Sequence, residues 1–151
     1  MSNSEVDSLD LYVGFGQRRA NWGLHWILLL ASPGSNSCTW YHVIGGPSKD
    51  QEYECKIQAG KRMDSFGISK KELICSIPES KIGKVKSAVK AVPLQPCQRW
   101  TVEALAKLEH KGLIPVGTSE KYRSQMEPSR IVRTENGWAV ADKVPVDESA
   151  E

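Results

Sequence analysis

The chain has 151 residues, 20 Lys+Arg against 18 Asp+Glu, 40% apolar residues and a formal net charge of +2. That length suits one compact domain with a sizeable core, and the mixed composition excludes collagen-like, coiled-coil and wholly disordered classes. The longest apolar run, Leu24 to Ala31, contains His25 and falls far short of the roughly 20 residues of a membrane span.

In chain order, Met1 to Asp10 is polar and reads as a loose acidic end. Leu11 to Phe15 begins a strand, and Gly14, Gly16 and Gly23 punctuate a loop carrying Arg18 and Arg19. Leu24 to Leu30 is apolar at both alternating sets of positions, as in a central strand covered on both faces. Pro33 to Ser37 is a turn and Thr39 to Ile44 a second strand, so the two form a hairpin. Tyr53, Cys55 and Ile57 alternate with polar residues in a half-exposed strand, and Leu73 to Ile77 is another short strand. Lys81 to Ala91 reads as a helix with Ile82, Val85 and Val89 on one stripe. A second helix opens at Gln95-Pro96-Cys97, with Pro96 at its first position, and stops at Gly112. Ile131 to Glu135 and Trp138 to Ala141 flank Asn136-Gly137, a hairpin signal. The expected fold class is α+β, a small antiparallel sheet packed against helices. The expected organisation is an acidic end over 1–10, an α+β domain over 11–116, and a C-terminal extension over 117–151 with a hairpin at 131–141 and an acidic tail.

Charge is segregated along this chain. Residues 1–10 carry −3 and residues 134–151 carry −4, whereas residues 11–133 hold 19 Lys+Arg and 10 Asp+Glu, a net of +9. A basic body suits either plain solubility or a polyanion such as RNA. With no basic start leading into an apolar segment, no secretory signal is expected. The four cysteines, Cys38, Cys55, Cys75 and Cys97, then read as reduced thiols of a cytoplasmic protein.

The chemistry-bearing residues are few. His25 and His42 interrupt apolar strands, where a buried imidazole needs partners for its nitrogens. His110 lies at a helix end, where it meets the dipole. Cys97 falls in the first turn of a helix, where backbone N–H groups favour a thiolate, and Arg99 adds positive charge. A thiol there facing a strand-borne imidazole is the arrangement of a Cys–His nucleophile pair. Cys55 and Cys75 read as small core residues, and Cys38 as a half-exposed residue beside a turn. No metal is expected, since Cys38 and His42 on one strand stand about 13 Å apart. Neither a phosphate loop nor a serine-hydrolase elbow occurs, and no cofactor is expected.

The stations His25-Trp26, then His42 within Tyr-His-Val-Ile-Gly-Gly-Pro, then Cys97-Gln98-x-Trp100, resemble in their order the circularly permuted papain-like fold. Lecithin:retinol acyltransferase-like and bacterial cell-wall-peptidase-like thiol enzymes share that plan. The layout is also similar to small fungal proteins with the same stations, a group near the arginine-containing cyclodipeptide synthases. The resemblance spans residues 12–116. It implies Cys97 as nucleophile, His25 as base and His42 as the group that orients the imidazole. The chain lacks an Asn before the Cys, and it lacks an Asp-Asp-x-x-Glu run, with Glu103 the nearest acidic residue.

The expected function is thiol-dependent acyl transfer through a Cys97–His25 pair, with a small acyl or aminoacyl substrate. Transfer from charged tRNA to form a peptide bond or cyclodipeptide is one form. Lys81, Lys84, Lys86, Lys90, Arg18, Arg19 and Arg99 would then contact substrate or RNA phosphates, with Glu103 beside them. The rivals are a cysteine peptidase or amidase of the same fold, and a non-catalytic binding module that kept it. No membrane partner is expected.

Overall fold

The computed structural model describes residues 8–18, 24–65 and 67–141, without the side chains of Gln17 and Arg18. Seven strands and three α-helices follow in chain order among the described residues: β1 Ser8–Arg18, β2 Leu24–Ala31, β3 Ser37–Ile44, β4 Glu54–Arg62, β5 Lys70–Pro78, α1 Ile82–Lys90, α2 Cys97–His110, α3 Thr118–Arg123, β6 Ile131–Thr134 and β7 Gly137–Val140. The fold is α+β. The first five strands make an antiparallel sheet in the order β4-β3-β2-β1-β5.

β2, apolar except for His25, lies at the centre of that sheet, and every residue from Trp26 to Ala31 is buried. Its alternate side chains supply two cores, as the period of a strand requires. Trp26, Leu28 and Leu30 join Leu11, Val13 and Phe15 of β1 beneath α1 and α2. Ile27, Leu29 and Ala31 meet Cys38, Trp40 and Met63 on the opposite face. Cys38 is therefore buried, where its place beside a turn suggested half-exposure. The reason is the pleat: Cys38 pairs with Ala31 across β2 and β3, which turns its side chain into the second core.

α1 buries the Val85–Ala88–Val89 stripe, and α2 buries Trp100, Ala104, Leu105 and Leu108. Trp100 is wholly enclosed, and truncating such a side chain costs about 3–5 kcal/mol. Pro96 is the N-cap of α2 and Cys97 its first helical residue, one position later than expected for the proline. The extended ψ of Pro96, 145°, keeps it outside the helix. Ser8 to Asp10 also belong to β1 and not to a loose end, because they pair with Ile77, Pro78 and Ser76 of β5.

α3 was absent from the sequence expectation. Its six residues are polar apart from Tyr122, too short a stretch to show a period. Tertiary packing holds it: Tyr122 is buried against Trp26 and Phe15, with ring centroids 6.2 and 6.4 Å away. The Asn136-Gly137 hairpin forms as expected, with Thr134 paired to Gly137 and Gly137 at φ 114°. The Trp138 indole N–H donates to the Leu94 carbonyl at 3.1 Å, fixing this hairpin beside the N-terminus of α2. No helix among the described residues is long and apolar enough to cross a membrane.

Candidate active site

β2 and β3 pair from Leu28–Tyr41 to Ala31–Cys38, and both strands run on beyond that ladder. His25 and His42 lie in these extensions, on the same side of the pleat by alternation. Their rings tie the strand ends together: His25 Nε2 is 3.0 Å from His42 Nδ1. His42 is buried, its ring lies edge-on to Trp40 at 5.8 Å, and its Nε2 is 2.8 Å from Oε1 of Gln58 on β4.

This row of hydrogen bonds has a direction. The Gln58 carbonyl oxygen can only accept, so His42 Nε2 donates to it. The neutral His42 ring then accepts at Nδ1, and His25 Nε2 donates to that lone pair. Nδ1 is left as the basic nitrogen of His25.

Beside the His25 end lies a cavity of about 970 Å³, walled by Leu24, His25, Val43, Tyr53 and Cys97 among others. Cys97 is half-buried, and its Sγ is 3.8 Å from the carbonyl oxygen of Leu24, the residue before His25. The thiol thus stands at the N-terminus of α2, where no side chain among the described residues caps the helix. The Gln98 side chain locks the helix to β2. Its Nε2 donates to the Leu24 carbonyl at 3.0 Å and to Glu127 Oε1 at 2.9 Å, while its Oε1 accepts the Glu127 backbone N–H at 2.8 Å. Glu127 Oε1 also accepts the Leu24 backbone N–H at 2.9 Å. A neutral amide and a carboxylate therefore set the distance between Cys97 and the His25 strand.

Tyr53 faces the same cavity. Burial, and secondarily the negative charge of a Cys97 thiolate, push its hydroxyl well above the ordinary phenol range, so it stays protonated as a donor. Gly46 makes room for it: a Cβ there would collide with the Tyr53 ring. The other three thiols, Cys38, Cys55 and Cys75, are each raised above the ordinary thiol range, first of all by burial. Among the described residues no group of three or more His, Cys, Asp or Glu side chains converges as a metal site would require.

The remaining sequence-selected residues separate. Arg99 is exposed and walls the cavity. Glu103 pairs with Arg123 at 3.3 Å, so it holds α2 to α3. Lys84, Lys86 and Lys90 are exposed on α1, and Lys81 is half-buried in the turn before it; the cavity lining does not include them. Arg19 and the side chain of Arg18 lie outside the described residues. Gln58, Tyr53, Glu127 and Arg133 were not selected from the sequence. Only the Gln98 station beside Cys97 carried a signal, and its partner Glu127 is 29 residues away.

No protein-family model, curated protein or solved structure matches the chain.

Proposed function

We propose that the chain is a thiol enzyme that transfers an acyl group through Cys97, with His25 as its base. The observation that carries this reading is the directed row Gln58–His42–His25, which ends on a residue of the same cavity wall as Cys97. The order of His25, His42 and Cys97 on two strands and a helix start also agrees with a permuted papain-like arrangement.

In the first half-reaction His25 Nδ1 takes the Cys97 proton and Sγ attacks the carbonyl carbon of an ester or amide. The first-turn N–H groups of α2 and the Tyr53 hydroxyl are the donors available to the tetrahedral oxyanion. The C–O or C–N bond then breaks, the leaving group takes the proton from His25, and a thioester remains. An amine or water gives its proton to His25 as it attacks that thioester, and Cys97 is released. An amine acceptor yields a peptide or amide bond, and water yields the acid. An aminoacyl-tRNA is the donor that the basic 11–133 segment favours. The lysines of α1 are then remote phosphate contacts, and binding weakens steeply with salt.

Alkylation of the four thiols, followed peptide by peptide against pH, tests the assignment. Cys97 is expected to react with iodoacetamide near neutral pH, and Cys38, Cys55 and Cys75 only well above it. Equal rates for Cys97 and Cys38 at pH 7 would sink the nucleophile reading.

A further inference from the structure

The cavity mouth carries a second device, built on the hairpin of β6 and β7. Trp138 is held there by its indole N–H on the Leu94 carbonyl and by an edge contact with the Tyr53 ring, centroids 6.4 Å apart. Two guanidinium groups lie over that one indole: Arg99 of α2 with its Cζ 5.6 Å from the ring centroid, and Arg133 of β6 at 5.2 Å. Both arginines wall the cavity that holds Cys97. Neither forms an ion pair with a carboxylate among the described residues.

The wall also carries Lys49, Arg123, Glu127 and Arg130. Arg123 is bound to Glu103 and Glu120, and the Glu127 carboxylate is bound to Gln98 and the Leu24 N–H. Cation–π contact explains why each arginine rests on the indole, but two like charges on one ring also repel. An anion received by both would offset that repulsion, and guanidinium forks match phosphate and carboxylate oxygens in pairs.

We propose that Arg99 and Arg133, set by Trp138, form a binding site for an oxyanion, a phosphate or carboxylate group carried by the molecule that acylates Cys97. Arg99 lies two residues beyond Cys97 on α2, and both arginines line the same cavity as the thiol, so one bound molecule can span the two. The proposal rests on the Cys97 reading for the role of the bound molecule, though the site itself is open to independent measurement.

The test compares two alkylating agents of similar size on the full chain, anionic iodoacetate and neutral iodoacetamide. The iodoacetate-to-iodoacetamide rate ratio at Cys97 is expected to fall about tenfold when Arg99→Gln and Arg133→Gln are combined, since the local field that concentrates the anion is removed. An unchanged ratio in the folded double variant overturns the site. A second measurement needs no variant: the Trp138 indole N–H resonance is followed while inorganic phosphate or acetate is added at constant ionic strength. A saturable shift at lower phosphate than acetate assigns a phosphate group, and the reverse order assigns a carboxylate. No saturable shift with either anion overturns the proposal. Slow iodoacetamide labelling of Cys97 would instead count against the nucleophile alone, because the ratio and the indole shift are unaffected by the thiol's absolute rate.

Discussion

His25 and His42 are joined ring to ring, Nε2 to Nδ1 at 3.0 Å, at the point where their two strands leave the paired ladder. The contact does two things at once. It closes a sheet gap that backbone hydrogen bonds do not span, and it passes the orientation of Gln58 to the imidazole that faces the cavity.

Gln58 therefore acts as a positioning residue through two rings. Gln58→Leu removes the acceptor at 2.8 Å from His42 Nε2 and allows the opposite polarity, so His25 Nδ1 can carry the proton. Cys97 alkylation at pH 7 should fall about tenfold, as loss of a positioned base does. Gln58→Glu keeps an acceptor and should retain the rate. Long-range ¹H–¹⁵N spectra of the two imidazoles check the cause directly: the wild type should show His25 protonated at Nε2, and the Leu variant a mixture.

Breaking the clamp between α2 and β2 should cost stability. Glu127→Ala strips an acceptor from both the Leu24 N–H and the Gln98 amide. A lost pair of bonds to a charged group corresponds to about 2–4 kcal/mol. Urea unfolding should show the midpoint fall at unchanged slope, and Cys97 should lose its selective reactivity because its distance from β2 is no longer held.

Gly46 is a sharper probe of the cavity wall. It sits at φ 92° and ψ 177°, and an added methyl meets the Tyr53 ring. Gly46→Ala combines backbone strain with that collision, and a loss of about 2 kcal/mol or more is expected. Because Tyr53 packs on Trp138, the indole N–H resonance of Trp138 should shift as well. A silent substitution by both measures would contradict the packing described for this corner.

Tyr122 links stability to pH. Its buried hydroxyl donates to Glu72 Oε1 at 2.7 Å, and that bond is the chief reason the Glu72 carboxyl is held below its ordinary value. A carboxyl lowered in the folded state adds stability that is complete above its unfolded pKa, roughly 4.3, and is lost as pH falls through the folded value. Tyr122→Phe should cost about 1–2 kcal/mol at pH 7. The difference from wild type should shrink toward strongly acid pH, as measured by denaturant midpoints at several pH values.

Much of the framework was legible in the residues. Apolar residues on both faces from Leu24 to Leu30, with His25 alone interrupting them, marked a central strand, alternation marked the half-exposed β4, and Asn136-Gly137 marked the hairpin. Each of these is a local pattern with its own period or turn chemistry. α3 had no period to read, because one buried Tyr122 in six residues is held by packing against Trp26 and Phe15. Cys38 misled for a related reason: its neighbours look like a turn, yet pairing with Ala31 sends it inward.

At the candidate site the same division holds. Residue type and local position alone singled out Cys97, His25 and His42: a thiol at a helix start and two imidazoles in apolar strands stand out whatever surrounds them. Gln58, Glu127 and Arg133 are ordinary surface types in sequence, nothing local separates them from other polar residues, and Trp138 stands out there only as part of a hairpin strand. Tertiary structure decided their roles, because a hydrogen-bond direction, a clamp or a shared aromatic ring exists only once distant strands and helices have been brought within about 3–6 Å of one another.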